Sequence, residues 1–425
     1  MKYFKILSYF ISICLLLIIF IFLIINLNLL GVKSKIYENY PNFELRKYVF
    51  NRKSVIEHFK NDYNVKFLPF TEFEKFEFKA IKINFSKEYF ENKVKFKETT
   101  SFKRYGTFFI DFHIDKLILT DYLGNIYFQK NFSKVIDGDE EININKISSN
   151  LNADRVFDSY IYKDKLFVSF TKKINNCSLI NVMYAPINED SLIFQNFFNP
   201  KICSETGSPG KMQYLKFNNQ DGLLLSTSEG VSDKPGFNTQ NPNSIFGKIL
   251  FIPFNLKSEI SIFSMGHRVI QGLNVINNKV IATEHGPRAG DEINYIINKK
   301  NYGWPLASFG ERYDFMYSNE KLTYNKNHQA NNFKEPIFSF IPGIGISEII
   351  KIPNNFSIHY NNHYVLASLN GRSLYFIRFD KDFNKLFTIE KVFINQRIRD
   401  LKYYKQKNSI IMALEEKGEL GILTN

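Results

Sequence analysis

Asn278-Lys279-Val280-Ile281-Ala282-Thr283-Glu284, NKVIATE, is a polar turn that runs into a short apolar strand. The same pattern recurs as Asp115–Asp121 (DKLILTD), Asp164–Phe170 (DKLFVSF), Asp221–Thr227 (DGLLLST), Asn362–Ser368 (NHYVLAS) and Asn408–Leu414 (NSIIMAL). Six copies, mostly about 45 to 60 residues apart, have the spacing at which a propeller repeats its blades. Several copies continue through a glycine turn into another strand, as in DYLGNIYFQ after the first and LNGRSLYFIRF after the fifth. Glycine there supplies the positive φ of a tight hairpin. Helical periodicity is nearly absent after about residue 62, so the pattern predicts an all-β, six-bladed β-propeller over 63–425. A stack of two β-sandwiches is the alternative architecture. The wide gap before the fifth copy, 301–340, is too polar for another blade and reads as a loop insertion on the top face.

A chain of 425 residues with a 44% hydrophobic share has enough apolar material for a large core. Lys and Arg outnumber Asp and Glu by 55 to 42, a formal charge of +13. No arginine-rich tail or basic helix concentrates that excess, so the charge argues against a nucleic-acid partner.

Two lysines in Met1–Lys5 precede an uncharged apolar run from Ile6 to Ile25, and about 20 such residues span a bilayer. No Ala-x-Ala site follows. Residues 1–31 therefore read as an uncleaved membrane anchor, with a cleaved signal as the alternative, and 32–62 as a polar stalk. This organisation predicts a chain anchored in the inner membrane with its body facing the periplasm. In such a compartment Cys177 and Cys203, the two cysteines beyond the anchor, are expected either to form one disulfide or to remain as buried thiols.

Around the fourth repeat the sequence reads Gly266-His267-Arg268, Gln271-Gly272-Leu273, then TEHGPRAGDEIN from Thr283 and Asn301-Tyr302-Gly303-Trp304-Pro305. This run closely resembles the central signature of the soluble quinoprotein glucose/sorbosone dehydrogenases, also called aldose sugar dehydrogenases. Gly247-Lys248-Ile249-Leu250 and Arg397-Ile398-Arg399-Asp400 extend the likeness. The resemblance implies a propeller that binds pyrroloquinoline quinone (PQQ) and calcium and oxidises an aldose to its lactone, passing electrons to a respiratory acceptor.

A planar tricarboxylate such as PQQ calls for bidentate cations, and arginine supplies them better than lysine. The resemblance puts Arg268, Arg397 and Arg399 on the cofactor. Strand alternation sets the last two on one face and Ile398 on the other, although alone the triplet would also fit an exposed edge with solvated arginines. It implies further that the carbonyls of Gly286 and Pro287 hold a calcium that polarises the quinone, and that Glu292 and Tyr302 serve a second, structural calcium. His285 is read equally well as a loop residue or a catalytic one, and Trp304 as loop packing.

Three positions depart from the family pattern. The family's catalytic histidine, in a segment like H-F-G-G-R, aligns on Gly207 of Gly207-Ser208-Pro209-Gly210-Lys211. Glu205 is the nearest carboxylate in sequence, and no histidine lies between His113 and His267. Val269 stands where asparagine is frequent, and Asn370 where a cation often helps hold the quinone. Two functions stay open: a PQQ- and calcium-dependent aldose dehydrogenase, or a non-catalytic propeller that binds a sugar, glycan or protein with its top face.

Overall fold

A computed structural model of the chain describes residues 66–67, 77–83, 93–96, 100–103 and 107–424, apart from 176, 205–206, 231–236 and 312–323. The anchor and stalk expected over 1–31 and 32–62, and Glu205, lie outside the described residues. Among those described, no helix is long and apolar enough to cross a membrane.

Six sheets, antiparallel through their four blade strands, follow one another along the chain, and each is a propeller blade. Blade 1 orders Phe108–His113, Lys116–Asp121, Ile126–Gln129 and Asn145–Ser149 from first strand to last. Blade 2 uses Arg155–Tyr162, Lys165–Ile174, Cys177–Pro186 and Gln195–Phe198. Blade 3 uses Pro209–Phe217, Gln220–Thr227, Lys248–Pro253 and Ser261–Met265. Blade 4 uses Ile270–Ile276, Lys279–Glu284, Asp291–Ile296 and Phe338–Phe340. Blade 5 uses Ile346–Lys351, Tyr364–Ser368, Ser373–Phe379 and Leu386–Phe393. Blade 6 takes Ile398–Tyr404, Ser409–Leu414 and Glu419–Thr424 from the end of the chain, and its fourth strand, Glu77–Lys82, from far upstream. That pairing (Glu77 opposite Thr424, Lys82 opposite Glu419) ties one end of the propeller's chain to the other and covers a blade edge.

Each of the six sequence repeats is the second strand of a blade. These strands read as continuous apolar runs because neighbouring blades cover both of their faces, and every residue of Tyr364–Ser368 and Ser409–Leu414 is buried. Ile118 and Phe128 of blade 1 pack with Leu166 and Val168 of blade 2. Leu224 and Phe251 of blade 3 meet Leu273 and Ala282 of blade 4. Ile411 and Ile422 of blade 6 pack on Phe108 and Leu117 of blade 1, closing the ring.

The first strands carry an unexpected buried charge network. Lys211 Nζ of blade 3 lies 2.7 Å from Asp158 Oδ1 of blade 2, 2.5 Å from Glu348 Oε2 of blade 5 and 3.4 Å from Asp400 Oδ1 of blade 6. Lys402 Nζ lies 3.5 Å from Asp111 Oδ1. The same carboxylates staple blades through backbone donors: Met212 N–H donates to Asp158 Oδ2 at 2.8 Å and Ile110 N–H to Asp400 Oδ2 at 2.9 Å. Cys177 and Cys203 form a disulfide that fastens the third strand of blade 2 to the segment leaving that blade.

The polar segment expected as a loop insertion runs between the third and fourth strands of blade 4. It climbs along the outer strand of blade 3, where Lys299 N–H donates to Phe263 O and Tyr302 N–H to Met265 O. It then folds back, with Lys334 N–H donating to Asn301 O at 2.8 Å.

Candidate functional site

In an antiparallel blade the residues before the first strand and those after the second emerge at the same end. Gly207, Arg268 and Arg397 immediately precede first strands, and Glu229, His285–Arg288, Asn370 and Glu415 follow second strands. One end of the propeller therefore gathers them all, and the blade 4 insertion brings Trp304 to it.

Arg268 is fixed from several sides. Its Nη1 donates to His285 O at 3.0 Å and Gly286 O at 2.8 Å. Its guanidinium lies 5.4 Å from the centre of the Trp304 ring, a cation–π distance. Its Nε is 3.8 Å from Glu229 Oε1 and, although buried, makes no hydrogen bond among the described residues. A buried guanidinium N–H without an acceptor is costly, and an anion at this point would relieve that cost. The neighbouring His267 holds the segment in place: Nδ1 is 3.0 Å from Glu284 Oε2, Nε2 is 2.8 Å from Ser264 Oγ, and the ring stacks on Tyr302. Glu284 also accepts from the Arg268 N–H. Gly266, at φ +77, carries the turn before His267, and a side chain there would collide with the Asn301 side chain.

Arg397 and Arg399 lie on one face, as the alternation requires, with Ile398 fully buried behind them. Glu415 pins both: Oε1 accepts Arg397 Nε at 2.7 Å and Oε2 accepts Arg399 Nε at 2.8 Å. Arg399 Nη1 reaches Gln271 Oε1 at 3.2 Å, linking blade 6 to blade 4. Burial would raise the Glu415 carboxyl, but the two guanidiniums hold it below the usual glutamate value. Asn370 is backed onto blade 5, its N–H donating to Ile344 O at 3.0 Å. A cation does stand nearby: Arg372 Nη2 bonds Glu416 Oε1 at 2.7 Å, and Glu416 Oε2 accepts the Arg397 N–H at 3.4 Å.

The TEHGPRAGDE turn is rigid. His285 Nδ1 is 2.7 Å from Asp291 Oδ1, which also accepts the Gly286 N–H at 3.0 Å. Burial pushes the Asp291 carboxyl up, but His285 and the N–H groups of Ile346 and Gly286 bring it below its ordinary range. Arg288 and Glu311 exchange two backbone hydrogen bonds at 2.8 Å, and Gly310 packs against Pro287. Gly286 O already accepts from Arg268, so a calcium carried on Gly286 and Pro287 would share that carbonyl with the guanidinium.

Glu292 is buried, 3.2 Å from Asn294 Nδ2 and 4.0 Å from His328 Nε2. Burial first, then Glu284, Glu335 and Asp291, push its carboxyl far above the ordinary value. Asn294 Oδ1 beside it is buried without a hydrogen bond among the described residues. Hard oxygens crowded with like charge suit a cation such as calcium. The Tyr302 hydroxyl is already engaged twice, donating to Tyr295 O at 2.6 Å and accepting from the Ile297 N–H at 2.9 Å. Among the described residues no group of three or more His, Cys, Asp or Glu side chains is arranged to hold a metal.

Fold and site define a six-bladed propeller with arginines gathered at one end. Residues 155–423 match the glucose / sorbosone dehydrogenase family model, and the chain belongs to that family. It is 28% identical over 163 residues to the aldose sugar dehydrogenase YliI of Escherichia coli, a match covering 37% of this chain and 42% of that protein. The chain spans less than half the length of the curated relatives it matches. The apo-form crystal structure of the soluble aldose sugar dehydrogenase from Escherichia coli superposes with a TM-score of 0.60 at 18% identity, covering 75% of this chain and 96% of that one. The PQQ-bound aldose sugar dehydrogenase from Streptomyces coelicolor gives 0.54 at 14% identity, covering 73% and 90%. At these identities the superpositions speak for the fold.

Proposed function

We propose that this chain is a PQQ-dependent aldose dehydrogenase, assisted by calcium, that oxidises the sugar to its lactone. The observation that carries the reading is Arg268, whose buried Nε has no acceptor among the described residues, in the same end of the propeller that fixes Arg397 and Arg399 through Glu415. Three held guanidiniums suit a planar tricarboxylate. Family membership and the PQQ-bound state of a fold neighbour support the same cofactor.

When bound, the quinone would supply the two-electron acceptor. Arg268, Arg397, Arg399 and Asn370 would hold it, with Arg372 adding charge at the rim. Glu292 and the Asn294 side-chain oxygen favour calcium at the structural position. The chain's own contribution is to orient the carboxylates of the cofactor and, through Glu415, to hold two mutually repelling guanidiniums side by side. We place the protein at the inner membrane, facing the periplasm, with a respiratory electron acceptor as partner. The Cys177–Cys203 disulfide supports an oxidising compartment.

The test is full-length protein with PQQ and Ca²⁺, followed by the quinone absorbance and by dye reduction with a panel of aldoses. A second reading, a non-catalytic propeller that binds a sugar, glycan or protein, is favoured by Gly207 at the family's histidine position. It predicts cofactor-independent ligand binding and no dye reduction.

A further inference from the structure

Gly207 offers no proton acceptor, so the neighbouring side chains decide whether the site has a base. Pro209 faces Thr227 in the register of the first two strands of blade 3. The ladder continues beyond them, with Ser228 N–H donating to Ser208 O at 2.9 Å. One further step sets Gly207 across from Glu229. Opposed side chains of an antiparallel pair share a face about 5 Å apart, and glycine puts nothing over the carboxylate.

Glu229 is buried, its N–H donates to Arg268 O at 2.9 Å, and its carboxylate accepts one hydrogen bond among the described residues, Trp304 Nε1 to Oε2 at 2.7 Å. A carboxylate has about four acceptor sites, so Oε1 keeps lone pairs for a substrate hydroxyl. The charged groups facing it are Arg268, 3.8 Å away, and Glu284, which in turn holds His267 and the Arg268 backbone. Burial raises the Glu229 carboxyl above the usual glutamate value, while Arg268 and the Trp304 hydrogen bond restrain the rise. That makes it a stronger base than an exposed glutamate.

We propose that Glu229 is the general base of sugar oxidation in this chain, acting from the strand opposite Gly207. The inference rests on the dehydrogenase reading above. The O–H bond of the anomeric hydroxyl breaks and its proton passes to Glu229. The electron pair left on oxygen would close the lactone C=O as the C1–H bond breaks as hydride, for which a bound quinone would supply the two-electron acceptor.

Trp304 is the only tryptophan of the chain, so its emission reports the protonation of Glu229 without any cofactor. In full-length apoprotein the emission should titrate with a midpoint above the ordinary value of about 4.3, and Glu229→Gln should abolish that step. Glu229→Gln should bind PQQ within about threefold of wild type yet lose about 10² to 10⁴ in dye reduction with an aldose. Glu229→Asp should retain part of the rate with a displaced acid limb. The inference alone is overturned if Glu229→Gln turns over near the wild-type rate; if wild type binds PQQ and oxidises no aldose, the dehydrogenase reading falls with it. Absence of PQQ binding by wild type would overturn the dehydrogenase reading as well, which separates the two failures.

Discussion

Glu415 Oε1 accepts a hydrogen bond from Arg397 Nε at 2.7 Å, while its other oxygen holds Arg399. One buried carboxylate thus sets the spacing of two guanidiniums that would otherwise repel. Glu415→Gln should cost about 3 kcal/mol in denaturant unfolding, since it leaves two cations without their counter-charge. It should also weaken PQQ binding about tenfold by letting both arginines wander. Because the folded Glu415 carboxyl lies below its unfolded value, its contribution is present above about pH 4.3 and is lost as the pH falls through the folded value.

The axial charges of the first strands predict an opposite pH trend at higher pH. Burial raises Glu348 to about 7 against the pull of Lys211, and Asp111 to about 6 against that of Lys402. The unfolded carboxyls titrate near 4, so the stabilisation is complete below about pH 4 and is lost as the pH rises through 6 and 7. Melting temperature should therefore decline from about pH 5 to pH 8, with Glu348→Gln flattening the slope. A melting temperature that rises across that window would contradict the assignment.

Lys211 is the one cation touching Asp158, Glu348 and Asp400 among the described residues. Lys211→Met should cost about 3 to 5 kcal/mol, the range for removing one partner from a buried ion pair. Chemical denaturation at pH 7 measures it. A change of less than about 1 kcal/mol would mean that blade packing, rather than the axial network, holds the first strands together.

The Cys177–Cys203 bridge closes a loop of sequence separation 26. Replacing both cysteines by serine should lower unfolding free energy by about 3 to 4 kcal/mol, and reductant should have the same effect on wild type and none on the double variant.

The blade count was legible because each second strand, covered on both faces, has to be apolar throughout, which a sequence cannot hide. The fourth strand of blade 6 was not. Glu77–Lys82 lies at an exposed edge with four of its six residues open to solvent, so nothing in EFKAIK asks for a partner at residues 419–424. The axial network was equally hidden, since Lys211 and Asp400 are 189 residues apart and neither stretch is unusual alone. The arginines were found through the motif around them, and the alternation of Arg397-Ile398-Arg399 held. Their anchoring acids were missed although a signal existed: Glu229, Glu284 and Glu415, like Asp121 in blade 1, each stand at or just past the end of a second strand. An acid recurring where an apolar strand leaves the core marks the face on which charge is wanted. Glu284, Glu415 and Glu229 each take up a cation or donor there, while Asp121 closes its own turn through the Leu123 and Asn125 N–H groups.

The most direct test is a PQQ titration of the full-length protein in the presence of Ca²⁺, followed by the absorbance of the bound quinone, with Arg397→Ala alongside. Saturable binding in the micromolar range or tighter is predicted, weakened at least tenfold in Arg397→Ala while the far-ultraviolet circular dichroism stays unchanged. No saturable binding at millimolar PQQ, or equal affinity in the variant, would contradict the account.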